Sequence, residues 1–162
     1  VPMRLRQELA KLQVEINEEK STTVELDRGD SFGFLGSEFR RIRSRSGAWR
    51  PHYTPKLKKR TALLAKVREV FRRFRSQPVG RVIELINPIL RGWVNYFAVG
   101  HSSRCFGFIQ DWVEKKVRRH MMQSRNRQGF GWTRWSRQWL YATRGLFNGY
   151  LVRSRAPKAS PA

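Results

Sequence analysis

The sequence predicts an α+β protein that is mostly α-helical, with a small β region containing a hairpin near the N-terminus and basic helices after it. Short alternating or glycine-containing segments in the first third predict the strands. Apolar residues recurring every three or four positions after residue 55 predict amphipathic helices. With 162 residues, of which 40% are hydrophobic, the chain is large enough to bury a core.

The first thirty residues predict one short helix and two short strands. Leucines at helical spacing among charged residues predict an amphipathic helix over residues 2–12. Apolar and polar residues alternate over 14–17 and again over 24–27, which is typical of half-exposed strands. The polar residues 18–20 form the predicted turn between these strands.

The next segment predicts a hairpin. A turn at residues 28–30 precedes a Phe-Gly-Phe-Leu-Gly run, which opens a strand predicted to continue from Phe32 through Ile42. A second turn at residues 44–47 then allows residues 48–53 to return as the partner strand.

Two helical stretches follow. Thr54 and Pro55 predict the start of the first, because Thr caps free backbone N–H groups and Pro is tolerated at the first helical position. The second stretch begins at Val79, and we expect a break at Asn87-Pro88 because that pair resembles another cap. Gly100 is predicted to end the helix that follows the break.

The last part predicts a long helix and an aromatic one. Ser102 and Ser103 are predicted to cap the long helix, so that three basic amphipathic helices form a small bundle. A basic linker over 125–131 leads to a final aromatic helix containing Trp132 and ending near Gly145. The tryptophans at helical spacing are expected to pack in the core, and these are Trp93, Trp112 and Trp139.

Charge indicates the chemical class of the partner. The chain holds 34 Lys and Arg against 12 Asp and Glu, a net charge of +22. Residues 1–38 hold five basic and eight acidic groups, a net of −3, whereas residues 39–162 hold 29 and four, a net of +25. Such an excess favours a polyanionic partner, and nucleic acid is the leading candidate. Arg outnumbers Lys by 25 to 9, which suits bidentate phosphate contacts.

Other function classes find little support. One cysteine excludes an intramolecular disulfide framework, and the sequence has neither a long apolar run nor a secretion signal. We therefore expect a cytoplasmic protein without a membrane partner. No His or Cys cluster has metal-ligand spacing, so no metal site is expected. The isolated residues that could carry chemistry are interpreted as structural or surface residues, and these are His52, His101, His120 and Cys105.

Three runs give the sequence a specific resemblance. They are Phe32-Gly33-Phe34-Leu35-Gly36, Asn87-Pro88-Ile89-Leu90-Arg91-Gly92-Trp93-Val94-Asn95-Tyr96-Phe97 and Gly129-Phe130-Gly131-Trp132-Thr133-Arg134-Trp135. Together they resemble the C-terminal part of bacterial group II intron-encoded reverse transcriptase/maturases, over roughly residues 3–153. The resemblance implies the end of a palm over 1–30, a primer-grip hairpin over 31–54, a helical thumb over 55–122, maturase domain X over 123–153 and a flexible tail over 154–162.

The resemblance also implies site residues. Phe34, Leu35 and Gly36 correspond to the primer grip, and Lys20 to a palm lysine on the triphosphate side if a palm partner is present. The Tyr-x-Asp-Asp loop is absent from this sequence, so Mg²⁺ is expected only in the missing palm site and none in this chain. Basic side chains expected to contact nucleic acid are Lys58, Lys59, Arg60, Arg72, Arg73, Arg91, Lys115, Arg118, Arg119, Arg125, Arg127, Arg134 and Arg137.

The expected function is therefore an RNA-binding thumb and maturase region. It would clamp template–primer duplex and group II intron or other structured RNA during reverse transcription, splicing and intron mobility. The expected protein partner is a palm and fingers part, within a bacterial ribonucleoprotein. The chain would then be a fragment, half of a split enzyme or a standalone maturase-like module. The alternative is a non-catalytic RNA-binding splicing cofactor or ribonucleoprotein subunit.

Overall fold

A computed structural model describes residues 3–13, 17, 24–129 and 131–153. These residues form a three-stranded antiparallel sheet and five α-helices, which confirms the predicted α+β class with a helical majority. The helices are α1 (Met3–Lys11), α2 (Leu57–Arg73), α3 (Val79–Tyr96), α4 (Ser103–Gln123) and α5 (Arg137–Ala142), and the strands are β1 (Ser31–Phe34), β2 (Ser37–Arg43) and β3 (Trp49–Pro55).

The N-terminal region agrees with the prediction only in part. Helix α1 confirms the helix expected over residues 2–12. The strand expected over 24–27 is wrong, because Leu26–Arg28 form a 3₁₀ turn that ends at Gly29 with φ of 90°. The Arg28–Glu25 ion pair of 2.8 Å spans this turn and is compatible with its tight curvature. The other expected strand, over 14–17, and its turn lie outside the described residues except for Asn17.

The sheet corrects one prediction and confirms another. The segment expected to form one strand from Phe32 through Ile42 is two strands, because the backbone reverses at Leu35 and Gly36 with φ of 45° and 78°. Strand β3 confirms the predicted return of residues 48–53. Phe39 of β2 stacks on both neighbours, with ring centroids 5.1 Å from Phe32 and 5.0 Å from Tyr53. This aromatic row holds the three strands in register on one face.

Helices α2 and α3 begin and end differently from the prediction. Thr54 and Pro55 belong to β3, and α2 begins at Leu57, because the Lys56 N–H donates to the Gly36 carbonyl and extends the sheet. The break expected at Asn87-Pro88 is wrong, since α3 continues through Pro88 to Tyr96. The helix also ends before Gly100, which lies beyond it with φ of 102°.

Asn87 acts in long-range contacts and does not cap a helix. Its side-chain amide donates to the Gly145 carbonyl at 2.8 Å, and its side-chain oxygen accepts from the Phe147 N–H at 2.9 Å. These two bonds attach the C-terminal segment to the middle of α3. A polar residue in a mid-helix position is therefore explained by a partner sixty residues away in sequence.

The C-terminal helices also differ from the prediction, either in length or in how they are capped. Helix α4 begins after Ser102 as predicted, although the Ser102 side chain makes no capping hydrogen bond. The predicted aromatic helix is reduced to α5, with Trp132 in a preceding turn. The Ser136 side chain caps α5 by accepting from the Trp139 N–H at 3.2 Å.

One principal core joins the helices. Buried side chains of α2, α3 and α4 share it with Trp135, Leu140 and Leu146, so residues on both sides of the predicted boundary at 122–123 pack together. The domain boundaries themselves remain predictions. Three tryptophans pack against this core as expected, and these are Trp93, Trp112 and Trp139. None of the described helices is long and apolar enough to cross a membrane.

Candidate nucleic-acid interface

A groove between α2 and α4 concentrates positive charge on the helical part of the protein. It has a volume of about 380 Å³ and opens to solvent where the two helices end. We call this feature the basic groove. Its lining residues are Arg68, Phe71, Arg72, Arg75, Lys116, Arg119, His120 and Gln123.

Helical spacing places the cations on facing sides. Arg68 and Arg72 are four residues apart on α2, and Arg75 follows three positions later, just beyond its end. Lys116 and Arg119 are three residues apart on α4 and so share one side of that helix. Packing of the two helices through the common core then brings five cationic side chains to a single groove.

The groove is electropositive because no described acidic residue lines it. Burial lowers the pKa of Lys116, and the neighbouring charges of Arg68, Arg119 and Lys115 lower it further. Burial is the larger cause, and the smaller contribution of three neighbouring cations is the part that indicates a positive potential here. An anionic ligand that enters the groove would be attracted by several cations at once.

Aromatic rings accompany these cations. Arg68 and Lys116 both lie over the Trp112 ring, at 5.8 and 5.4 Å from its centroid. The His120 ring lies 5.8 Å from Phe71, and its Nε2 is 2.9 Å from the Gln77 carbonyl, so this histidine has the structural role expected from the sequence. Two of the five groove cations, Arg68 and Lys116, therefore pack on the same aromatic ring.

Two neighbouring cavities extend the basic groove. One of about 250 Å³ adjoins Trp112 and is lined by Lys115, Lys116 and Arg119. The other, of about 440 Å³, follows the end of α4 and includes Arg119 and Arg127. Because the cavities share Lys116 or Arg119 with the groove, the three form one continuous basic surface.

The structure brings together four of the residues expected to bind nucleic acid. Arg72, Lys115, Arg119 and Arg127 line the basic groove or its extensions. Three further lining residues were not predicted from the sequence, and these are Arg68, Arg75 and Lys116. Their signal was present in the sequence as the four-residue and three-residue spacing from Arg72 and Arg119.

Arg118 corrects the prediction most clearly. This side chain is only 1% exposed, so it cannot contact nucleic acid in this conformation. Its Nε donates to the Trp135 carbonyl at 2.8 Å, and its Nη1 donates to Glu114 at 3.2 Å. The guanidinium also lies 4.1 Å from the Trp132 ring centroid. The Arg118 side chain therefore links the segment that contains Trp132 and Trp135 to α4.

Arg137 completes the same buried network. It pairs with the buried Glu114 at 2.8 Å and with the exposed Asp111 at 2.6 Å. The Tyr141 hydroxyl also donates to Glu114, at 2.5 Å. These acidic partners raise the pKa of Arg137, and the hydrogen bond that Arg137 donates to Glu114 is the main cause. Most of the charge of this arginine is thus balanced within the protein.

The remaining expected residues lie outside the basic groove. Arg60, Arg73 and Arg125 each lie over an aromatic ring, at 4.4, 5.8 and 5.2 Å from the centroid. Lys59 lines an apolar groove between α2 and α3. Three others are exposed elsewhere on the surface, and these are Lys58, Arg91 and Arg134.

The hairpin turn presents a second candidate contact. Phe34 and Leu35 are 58% and 68% exposed, and Leu35 has φ of 45°, a left-handed conformation that is unfavourable for leucine. The Tyr96 hydroxyl donates to the Leu35 carbonyl at 2.9 Å and holds the turn against α3. Gly36, with φ of 78°, completes the exposed turn. Lys20, expected on the triphosphate side, lies outside the described residues.

Comparison with known proteins adds one finding. Residues 60–139, about half of the chain, match the profile of the group II intron, maturase-specific domain. No curated protein matches the chain. The matched segment begins in α2, contains α3 and α4, and ends in α5. Every residue that lines the basic groove falls inside it.

Proposed function

Because residues 60–139 belong to the group II intron, maturase-specific domain, we propose that the chain binds group II intron RNA through the basic groove and so assists splicing. The match implies the maturase role. Direct binding of RNA by this groove goes beyond the match and is our proposal. The observation that carries it is the convergence of five cations within the matched segment, with no described acid in the lining.

The chemistry of the groove suits RNA. Guanidinium groups bind phosphate oxygens in a bidentate manner, and four of the five cations are arginines. The partly buried Trp112 gives an apolar edge beside them, against which a ribose or an unpaired base can pack. Arg68 and Lys116 pack on the Trp112 ring and so lose less conformational freedom on binding than unrestrained side chains would, which favours affinity.

A salt series with structured intron RNA tests this proposal. The triple variant Arg68→Gln, Arg72→Gln and Arg75→Gln removes three cations from one side of the basic groove. If each contacts a phosphate, the slope of log affinity against log salt should fall by about 2 to 3, and affinity near physiological salt by roughly 100-fold. Filter binding or fluorescence anisotropy would measure both quantities.

The matched control removes the same charge from other surfaces. Arg28→Gln, Arg43→Gln and Arg81→Gln change exposed residues outside the basic groove, on the 3₁₀ turn, β2 and α3. We expect the control to retain most of the slope and affinity. Equal losses in both triple variants would contradict a localised interface and leave only the effect of net charge.

We further propose that the hairpin turn contacts a nucleic-acid primer when a palm and fingers part is supplied. The strained Leu35 supports this, because left-handed non-glycine residues are retained where the surroundings hold them in place, commonly at functional sites. In this proposal Mg²⁺ binds in the palm partner. The chain alone should not extend a primer, whereas the chain mixed with such a partner should.

The same assay separates the splicing cofactor from the split enzyme. Protection of intron RNA without primer extension in either reaction favours a non-catalytic RNA-binding cofactor. Extension that appears only in the mixture, and falls when Leu35→Ala and Gly36→Ala are introduced together, favours the clamp. A matched control is Ala48→Gly in the opposite loop of the sheet, which should leave extension unchanged.

A further inference from the structure

A second cavity lies at the junction between the sheet and the helices. It has a volume of about 520 Å³, and its walls come from β2, β3, the first turn of α2 and the start of α4. We call it the junction pocket. None of its lining residues lines the basic groove, which is formed by the far ends of the same two helices.

Positive charge dominates the junction pocket. Arg40, Arg60 and Arg104 line it, and Glu38 is its one acid among the described residues. Three guanidinium groups and one carboxylate leave a net charge of +2 when the histidines are neutral. Glu38 accepts a hydrogen bond from the Ser31 hydroxyl at 3.0 Å, on the adjacent strand.

Arg60 is held in place within the pocket. Its guanidinium lies 4.4 Å from the centroid of the Phe108 ring, and Cys105 lines the same pocket. Burial raises the pKa of the Cys105 thiol, and Arg60 partly opposes that rise. A guanidinium that packs on an aromatic ring needs less reordering to receive an anion than an unrestrained one.

Two histidines add donors to the same wall. The rings of His52 and His101 stack with centroids 4.6 Å apart. The Tyr53 N–H donates to Nδ1 of His101 at 3.4 Å, so the neutral ring carries its proton on Nε2 and can donate there. Nδ1 of His52 is buried and has no hydrogen-bond partner among the described residues. A ligand or a water molecule in the pocket would satisfy this atom.

We propose that the junction pocket binds a phosphate dianion, as inorganic phosphate or as the terminal phosphate of a nucleic-acid strand. A phosphomonoester carries up to two negative charges and three acceptor oxygens, which match the net charge of +2 and the several donors. A backbone phosphodiester carries only one negative charge. The cavity volume exceeds that of phosphate alone, and the partly exposed Phe108 ring offers a surface for an attached base.

Titration of the full chain with inorganic phosphate tests the site. The imidazole resonances of His52 and His101 should shift with saturation, and the double variant Arg40→Gln and Arg104→Gln should weaken binding at least tenfold. Both side chains are exposed, so the fold should be retained. Arg43→Gln on β2, an exposed residue outside both cavities, is the control and should leave the phosphate affinity unchanged. No imidazole shift, or equal affinity in the double variant, would overturn the proposal.

A second arm distinguishes the two sources of phosphate. The probe is one oligonucleotide with a 5′-phosphate, a 3′-phosphate or only hydroxyl ends. A tenfold preference for one phosphorylated end, abolished by Arg40→Gln and Arg104→Gln, identifies a strand end as the ligand. Imidazole shifts with inorganic phosphate but no end preference identify free phosphate. Because the basic groove is separate, loss of intron RNA binding in the groove variants has no bearing on this result.

Discussion

The two sides of α4 put adjacent arginines to opposite uses. Arg118 points into the protein, where it is 1% exposed and bound to Glu114 and to the Trp135 carbonyl. Arg119, the next residue, faces the basic groove with Lys116 and the arginines of α2. On one side of the helix the arginine is therefore buried in an ion pair, and on the other side the arginine lines a solvent-accessible groove.

The difference shows that net charge alone does not locate an interface. Of the four acids after residue 38, Glu114 and Asp111 are both engaged by Arg118 or Arg137. Glu114 is buried and Asp111 pairs with Arg137 at the surface, and no described acid lines the basic groove. The distribution of acids locates the proposed RNA-binding surface more sharply than the total charge of +22 does.

Arg118→Ala should produce the largest effect on stability. Removing one partner of a buried ion pair leaves Glu114 less compensated and deprives the Trp135 carbonyl of its donor. We expect the free energy of unfolding to fall by about 3 to 5 kcal/mol, which urea denaturation would measure. Arg137 and the Tyr141 hydroxyl remain on Glu114, so a loss at the lower end of this range is expected.

Arg119→Ala is the matched control for stability. It removes the same functional group one position along the same helix, but from an exposed residue. Its cost in unfolding free energy should stay below about 1 kcal/mol. Comparable losses in the two variants would break the distinction between the two sides of α4.

The next largest expected effect is on RNA binding, and Arg119→Gln should produce it. Loss of one phosphate contact should lower the slope of log affinity against log salt by about 0.7 to 0.9, and affinity near physiological salt by about fivefold. Fluorescence anisotropy with intron RNA measures both. Arg81→Gln on α3 removes an equal charge outside the groove and serves as control. An unchanged slope in Arg119→Gln would remove this residue from the interface.

The helical bundle could be predicted from sequence because its signals are periodic. Buried residues of α4 recur at helical spacing, and Ile109, Val113 and Val117 are each fully buried as that spacing indicates. The segments whose structure was predicted wrongly depend on contacts with residues that are distant in sequence. Asn87-Pro88 looked like a cap, yet Asn87 is satisfied by Gly145 and Phe147, which local pattern cannot show.

The candidate site was predictable only in part for a similar reason. A helix wheel places Lys115, Arg118 and Arg119 among the basic residues of α4, but it does not reveal which of them meets a carboxylate. Arg118 is buried because Glu114 lies four residues before it and because the segment around Trp135 returns to cover both. That return depends on tertiary packing of residues beyond the helix.

Asp111→Asn should have the smallest effect and defines the edge of the buried network. The Asp111–Arg137 pair is 2.6 Å long, but both side chains are more than half exposed, so water and salt screen their attraction. We expect a loss of at most about 1 kcal/mol in unfolding free energy, and a smaller loss at high salt. Arg137 keeps its bond to buried Glu114, so its position should persist. A loss as large as that of Arg118→Ala would mean that the stabilising network includes the exposed Asp111. The distinction between the buried charges of α4, which stabilise the fold, and its exposed charges, which are proposed to bind RNA, would then not hold at this residue.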